Sequence, residues 1–193
     1  DGGGSTLHVV VGADNARIDG FTIRGGNAAA ASPDDVGGGV YCNGTSPVVV
    51  NNRIVANRAT NGGAGIYCGG ACAGQFVGNR LAGNESTANI SPGPPAALFG
   101  GGAYLFDGNT VTGHVGRLSR SGIAFFGGTA GAVKRNLIVG NGGDVSNTVS
   151  TSVPFAGNVV LGNRYYAGLA PHTGMGVIVA QTSESNSSLK AVR

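Results

Sequence analysis

Short stretches of alternating polar and apolar residues recur along this chain, and the clearest of them is a six-residue pattern. It has asparagine first, an apolar residue third, a small residue fifth and asparagine or a substitute last. Because successive side chains of a strand point to opposite faces, each copy predicts a short strand that buries its third residue. The copies span 21–26, 52–57, 79–84, 109–114, 136–141 and 158–163, and the first of them is degenerate.

Each copy ends a longer block that also repeats. Four blocks of 19 residues align without gaps, at 66–84, 96–114, 123–141 and 145–163, and two blocks one residue shorter lie at 9–26 and 40–57. Every block contains three short apolar stretches separated by Gly, Asn or Ser, which is typical of brief strands joined by turns. A repeat of this length predicts stacked coils.

The blocks predict an all-β fold, a right-handed, single-stranded parallel β-helix of about six coils with three short strands per coil. The β-helix would span residues 1–163, with coils that start near 9, 40, 66, 96, 123 and 145. Residues 164–193 form a C-terminal tail that is strand-like at 176–181. We expect the tail to cover the last coils or to mediate assembly.

Stacking the blocks places equivalent residues in columns along the axis. The inward column contains Ile54, Leu81, Val111, Ile138 and Val160, with Ile23 below them. A second column, at a turn, contains Asn52, Asn79, Asn109, Asn136 and Asn158. Stacked side-chain amides can hydrogen-bond to one another and to the backbone of the turn, so we interpret this Asn column as structural.

Composition suits a weakly charged rod with a core. Glycine accounts for 38 of 193 residues, about three times its usual share of ~7%. Only 11% of residues are charged and the net charge is +3, which favours an extracellular protein and gives no support to nucleic-acid binding. No apolar run reaches the roughly 18 residues of a membrane span. The chain opens on the polar DGGGST, so we expect a processed or trimmed chain.

Two further motifs carry a family resemblance. The motif F-x-x-N occurs at 76–79, 106–109 and 155–158, and GGA occurs at 62–64 and 101–103. Over about residues 9–163 the chain resembles the pectate-lyase-like right-handed β-helix superfamily. Within it, the chain is most similar to the non-catalytic, repeat-rich surface proteins of the polymorphic outer-membrane protein type, whose repeats pair GGA-I with F-x-x-N. This resemblance implies a secreted or cell-surface scaffold.

The connectors between blocks leave the same edge of every coil and are the expected place for function. The two richest in charge carry Asp34 with Asp35, and Arg117 with Arg120. Polysaccharide lyases of the resembled superfamily use carboxylates to hold Ca²⁺ and a basic residue to abstract a proton. Asp34 and Asp35 are therefore candidates to bind Ca²⁺, although Arg117 belongs to a coil on the order of 14 Å away. We favour a solvated acidic turn and expect no other metal or cofactor.

The three cysteines leave alternatives open. Cys42 and Cys68 occupy the same block position, followed in later coils by Leu98 and Phe125. We rank free buried thiols first, a Cys68–Cys72 disulfide across Gly-Gly second and a Cys42–Cys68 disulfide third, since directly paired strands hold Cβ atoms farther apart than the ~3.8 Å a disulfide prefers. With an odd count, at least one thiol stays free or pairs with another chain.

Two outward features point to binding. Tyr41 and Tyr67 are adjacent and outward by alternation, which offers a short step on which a sugar ring could stack, although a half-buried structural pair is the commoner arrangement. The outward hexamer positions are apolar in the last two copies, at Leu137, Val139, Val159 and Leu161. Such a patch needs cover from the tail or a partner.

Asn43 begins a sequon at a turn and is the best candidate for glycosylation.

Two functions follow from these features. We favour a secreted or cell-surface structural or adhesive module, either a piece of a longer β-helix or a subunit that stacks end to end, with itself or a surface polysaccharide as partner. The alternative is a fragment of a carbohydrate-active enzyme, a lyase, epimerase or hydrolase that acts on an acidic polysaccharide. It rests on analogy with the fold, and no outward carboxylate pair on neighbouring coils supports it.

Overall fold

The chain folds as an all-β parallel solenoid. The computed structural model describes residues 1–87, 97–116, 123–128, 131–141, 145–147, 155–161 and 177–179. Within these residues the strands form four parallel sheets along one axis, and no helix is present. The predicted all-β parallel class is therefore confirmed. None of the described segments contains a helix of the length and apolar character needed to cross a membrane.

The four sheets are named here in the order in which the chain visits them. Sheet I contains Val10–Val11, Val40–Asn43, Ile66–Gly69, Ala97–Gly102, Ile123–Gly128, Val145–Asn147 and Val177–Val179. Sheet II contains Arg17–Asp19, Val48–Val50, Gln75–Val77, Leu105–Asp107, Ala132–Lys134 and Phe155–Ala156. Sheet III contains Thr22–Arg24, Arg53–Val55, Arg80–Ala82, Thr110–Thr112, Leu137–Val139 and Val159–Leu161. Sheet IV contains Asn27–Ala28, Arg58–Ala59, Glu85–Ser86 and Val115–Gly116.

About four turns carry a strand in every sheet, so the prediction of three strands per coil is wrong for these turns. The strand that the prediction did not include is the two-residue strand of sheet IV, which directly follows the closing residue of the hexamer. Arg58 N donates to Gly26 O at 2.8 Å and Thr60 N donates to Ala28 O at 2.9 Å, which continues the pairing past the hexamer. Such a strand buries only one small side chain, here Ala28 or Ala59, so it leaves no apolar alternation in the sequence.

Sheet I has a different register from the ungapped blocks in two coils. Val10, not Val9, pairs with Val40, and Ala97, not Ala96, pairs with Ile66. Sheets II and III keep the expected register, so the number of residues between sheets I and II differs by one in these coils. Consequently Phe99, and not Leu98, takes the register position of Cys68.

The core lies inside the solenoid and consists of inward side chains of the strands, one from each core strand of sheets II and III and two from each of two strands of sheet I. The predicted inward column of sheet III is confirmed, since Ile23, Ile54, Leu81, Val111 and Ile138 are buried and Val160 is partly buried against them. Sheet II contributes Val49, Phe76, Phe106 and Val133, and sheet I contributes Val40, Cys42, Ile66 and Cys68. Directly stacked apolar side chains thus form one continuous core.

The Asn column lies at the turn between sheets II and III and forms a hydrogen-bonded ladder. The Oδ1 atom of Asn79 accepts from the backbone N of Asn52 at 2.9 Å and from its Nδ2 at 3.2 Å. Asn79 Nδ2 donates to Val49 O at 2.8 Å and to Asn109 Oδ1 at 3.1 Å. The same arrangement continues through Asn136 to Asn158. We call this column the first ladder.

A second ladder closes the turn between sheets III and IV and was not predicted as such. It contains Asn57, Asn84, His114 and Asn141, the closing residues of four hexamers. Asn57 donates from its backbone N and its Nδ2 to Asn84 Oδ1, both at 3.0 Å. All four side chains are at most 1% exposed. Between them, the two ladders satisfy buried backbone groups at two corners of the solenoid.

His114 does the hydrogen bonding of the asparagine it replaces. Its Nδ1 lies 3.1 Å from the backbone N of Asn84 and accepts that proton, while its own backbone N donates to Asn141 Oδ1 at 3.1 Å. Burial lowers the pKa of His114 to about 4, against the smaller opposing effect of the backbone groups of Asn84 and Leu81. The ring is therefore neutral at pH 7, because protonating Nδ1 would turn the acceptor of Asn84 into a second donor.

We predict that Asn79→Ala lowers the free energy of unfolding by about 3 kcal/mol, since it removes the acceptor of two buried donors of Asn52 and the side-chain donor to Val49 O. Asn158→Ala is the matched control, because Asn158 makes the equivalent bonds to Asn136 and Val133 but is only partly buried, so its loss should cost less. Urea unfolding of both variants measures the difference. Equal losses of stability in the two variants would contradict the prediction that the buried rungs of the ladder contribute more.

We predict that acidification destabilises the protein through His114. Its pKa is below the unfolded value of 6.5, so the stability it contributes is complete above pH 6.5 and is lost as the pH falls toward 4. The full loss is about 3 kcal/mol. His114→Asn, which places an amide in the ladder, should flatten the unfolding free energy over this window. Parallel pH curves for the two proteins would contradict the assignment.

Candidate functional site

Two glycine-rich segments, residues 36–39 and 62–65, lead into sheet I on the connector side and pair in register. Val36 bridges to Gly62, and the strands that follow pair Val40 with Ile66 and Tyr41 with Tyr67. Beside the bridge, Asn61 Nδ2 donates to Asp35 Oδ2 at 2.6 Å, and Asn61 N donates to Asp35 O at 2.7 Å. Asp35 is 7% exposed, so this predicted site carboxylate holds two coils together.

Close approach of the tyrosines explains two of the glycines. Gly37 and Gly63 have φ of +73° and +58°. A Cβ on Gly37 would lie 2.9 Å from Cβ of Tyr41, and one on Gly63 would lie 2.8 Å from Cβ of Tyr67. Only glycine allows both this backbone conformation and this contact. The same turn in both coils therefore sets the two tyrosines at equivalent positions.

Tyr41 and Tyr67 stack on each other, and His8 extends the stack by one ring. The ring centroids of Tyr41 and Tyr67 are 5.5 Å apart with an angle of 13° between planes, and those of His8 and Tyr41 are 4.5 Å apart at 23°. The inner ring faces are therefore turned to one another. What Tyr41 offers a ligand is a ring edge and a hydroxyl, not the open face that the predicted sugar step requires.

Asp34 approaches this stack from the solvent side. His8 Nδ1 lies 3.1 Å from Gly37 O and donates to it, which leaves Nε2 facing Asp34 Oδ1 at 3.4 Å. The Asp34 side chain is 48% exposed and that of His8 11%. Asp34 and Asp35 thus have different partners, and among the described residues no group of three or more His, Cys, Asp or Glu side chains is placed to hold a metal.

The electrostatics of this stack keep the Tyr67 phenol protonated at neutral pH. Burial, followed by the nearby Tyr41 and Asp35, raises the pKa of the Tyr67 phenol. Tyr67 is therefore a donor at neutral pH and a poor base. The predicted Arg117 and Arg120 lie outside the described residues. We call His8, Asp34, Tyr41 and Tyr67 the aromatic cluster, and it is the candidate site beside the first strands of sheet I.

Cys68 and Cys72 form a disulfide with a Cα–Cα distance of 5.6 Å, so the leading expectation of free thiols is wrong for this pair. Gly69 and Gly70 lie between them, and Gly70 has φ of +60°, which folds the chain back far enough for the bond. Cys42 pairs in register with Cys68 but is a free, buried thiol. Burial raises the pKa of the Cys42 thiol to about 12, so it is unreactive at neutral pH.

The outer face of sheet III changes character along the axis. Leu137, Val159 and Leu161 of the predicted patch are 39%, 47% and 37% exposed, and Val139 is half-buried. In earlier coils the same columns hold exposed Arg53 and Arg80. The tail strand Val177–Val179 extends sheet I beside Val145–Asn147, so this part of the tail lies on another sheet from the patch.

The Asn43 side chain is exposed at the end of its strand, and its glycosylation stays a prediction.

Sequence reasoning missed His8 and the arginine pair. His8 lies before the first block and carries no repeat signal, and only the folded chain brings it against Tyr41. Arg53 and Arg80 were visible as outward residues of neighbouring hexamers. Their significance depends on where the carboxylates lie, which the sequence does not give.

Comparison with known proteins supports the architecture. The family model for the right-handed beta helix region matches residues 7–189. Neither a search of curated proteins nor a search of solved structures gave a match.

We predict that reducing the Cys68–Cys72 disulfide lowers the free energy of unfolding by about 2 kcal/mol, the chain-entropy value for a closed loop of about five residues. Urea unfolding with and without reductant measures the effect. Cys42→Ala is the control, because it removes a buried thiol and keeps the cross-link, so it should retain the response to reductant. Cys68→Ala/Cys72→Ala should lose that response. A wild-type protein indifferent to reductant would contradict the prediction.

Proposed function

This chain belongs to the right-handed β-helix family, and on that basis we propose that it is a secreted or cell-surface structural module. The observation that carries the proposal is the use of buried polar groups. Of the eleven buried polar or charged residues in the described part of the chain, eight belong to the two ladders. These groups stabilise turns. In an enzyme, by contrast, we would expect buried polar groups to converge on a substrate.

The disulfide supports the proposed location. Disulfides persist in oxidising compartments and are rare in the cytosol. Cys68 and Cys72 are both fully buried, so the bond is part of the packed structure. A low charged fraction of 11% agrees with an extracellular scaffold.

The finer features of the module are also proposals. Six coils are supported by the six strands in each of sheets II and III. The likeness to non-catalytic surface proteins of the polymorphic outer-membrane protein type is supported by buried Phe76 and Phe106, each followed three residues later by an asparagine of the first ladder. End-to-end or lateral assembly is supported by the exposed apolar patch of sheet III.

A second function, carbohydrate-active enzyme, is favoured by the aromatic cluster. His8, Asp34, Tyr41 and Tyr67 bring an imidazole, a carboxylate and two phenols to one edge of the solenoid. An acidic polysaccharide could be bound there with Ca²⁺ at Asp34, and a lyase reaction would release an unsaturated product. This hypothesis requires a base at the cluster, and His8 is the candidate.

Two measurements separate these functions. For a structural module, we expect the protein in the secreted or surface fraction of its cells, with one alkylatable thiol after unfolding without reductant. Recovery in the cytosol with three reduced thiols would contradict this location.

The second measurement is an assay of the purified chain on pectate and alginate, with and without Ca²⁺, for unsaturated product. The structural module gives none. Product that disappears in Tyr67→Phe or His8→Ala, and persists in the distant Arg17→Gln control, would establish the enzyme instead.

A further inference from the structure

Arginines in the described residues are paired with carboxylates, with two exceptions. Arg17 contacts Asp19 at 2.6 Å, Arg24 contacts Asp1 at 2.7 Å and Arg58 contacts Glu85 at 3.4 Å. Arg135 pairs with the buried carboxylate of Asp107. For Arg53 and Arg80, no carboxylate partner is found among the described residues.

The two exceptions lie directly opposite each other. Arg53 and Arg80 are register partners on adjacent strands of sheet III, about 4.8 Å apart at the backbone. Both side chains are exposed on the outer face, because Ile54 and Leu81 beside them fill the core. Like charges directly opposite on a sheet are destabilising. The free protein therefore holds a repulsive pair that an external anion would relieve.

The surroundings leave the pair open to a ligand. Thr22 and Thr110 continue the same column on either side, so four successive rungs present side-chain donors. The neighbouring outward column holds Val55 and Ala82 at the two arginine rungs. These side chains are short and half-buried, so they do not cover the guanidinium groups.

We propose that Arg53 and Arg80 form a binding site for a tetrahedral oxyanion, a sulfate or phosphate ester group on an extended polymer. A guanidinium presents a planar fork of donors, and one fork occupies both oxygens of a carboxylate. A sulfate or phosphate ester has three terminal oxygens, which two forks can share. The polymer is required because a single exposed ion pair is weak and screened by salt, whereas linked groups rebind at high effective concentration.

This site is independent of the scaffold role proposed above, since it uses neither the ladders nor the aromatic cluster. It also differs in chemistry from a uronate site, which would select carboxylates. The threonine hydroxyls at either end of the column can donate to sugar or ester oxygens of the same chain.

The test compares four dextrans of equal length, one sulfated, one phosphorylated, one carboxymethylated to the same charge density and one unmodified. Binding to the purified chain is measured by biolayer interferometry at low and at physiological salt. We expect the sulfated or the phosphorylated polymer to bind at least tenfold more tightly than the carboxymethylated one. Whichever of the two binds better identifies the source of the oxyanion. No binding of the unmodified dextran is expected.

The variants localise the site. Arg53→Gln/Arg80→Gln should lower the affinity for the preferred polymer by about 50-fold or more, since a hydrogen bond to a charged group contributes a factor of about ten or more. Arg17→Gln/Lys134→Gln removes the same charge from sheet II and should change the affinity less than threefold. The Arg53→Gln/Arg80→Gln protein should melt no lower than wild type, because its repulsion is gone.

Three results would overturn the proposal. One is equal losses of affinity in the two double variants, and another is an unchanged affinity in Arg53→Gln/Arg80→Gln. The third is carboxymethyl dextran binding as tightly as the sulfated and phosphorylated polymers.

Discussion

The turns of this solenoid depend on a hydrogen bond between coils, in which a backbone N–H of one coil donates to an asparagine side chain of the next. The backbone N of Asn52 is satisfied by the side chain of Asn79, and that of Asn79 by the side chain of Asn109. A buried N–H without a partner costs about 1–3 kcal/mol, so no interior turn is stable alone. This constraint also sets the inward column of sheet III. Each ladder asparagine directly precedes a strand, so fixing the asparagine fixes which residue of that strand points inward. Stability is then a sum of contacts between neighbouring coils, as in other repeat proteins.

The sequence predicted the columns well where pattern and chemistry agree. The apolar third position and the first asparagine of each hexamer both repeat, and each excludes a one-residue shift of sheet III. Sheet I lacks such a marker. Leu98 and Phe99 are both apolar, so either could have followed Cys68, and the register there was predicted one residue out. The second ladder was hidden because His114 and Gly26 interrupt its asparagines. The two-residue strands of sheet IV bury one small side chain each and leave no periodicity to read.

The candidate sites show a different limit. Alternation placed Tyr41 and Tyr67 on one outer face but could not orient their rings, and ring orientation decides between a stack and a platform. Asp34 and Asp35 are adjacent in sequence, yet one meets His8 at the surface and the other is buried against Asn61. The disulfide was ranked second because nothing in the sequence weighs a bond across Gly-Gly against two small buried side chains. In each case the deciding fact is a side-chain partner from another coil.

The direction of the ladders has an electrical consequence. Every Oδ1 of the first ladder faces the preceding coil, since it accepts from a backbone N one rung earlier and, from Asn79 onward, also from the side-chain amide there. The amide dipoles therefore add along the axis, as peptide dipoles do in a helix. The first ladder, from Asn52 to Asn158, thus has its negative end toward the first coil and its positive end at Asn158. This alignment makes the two ends of the ladder electrostatically different, although the formal charge of the chain is small.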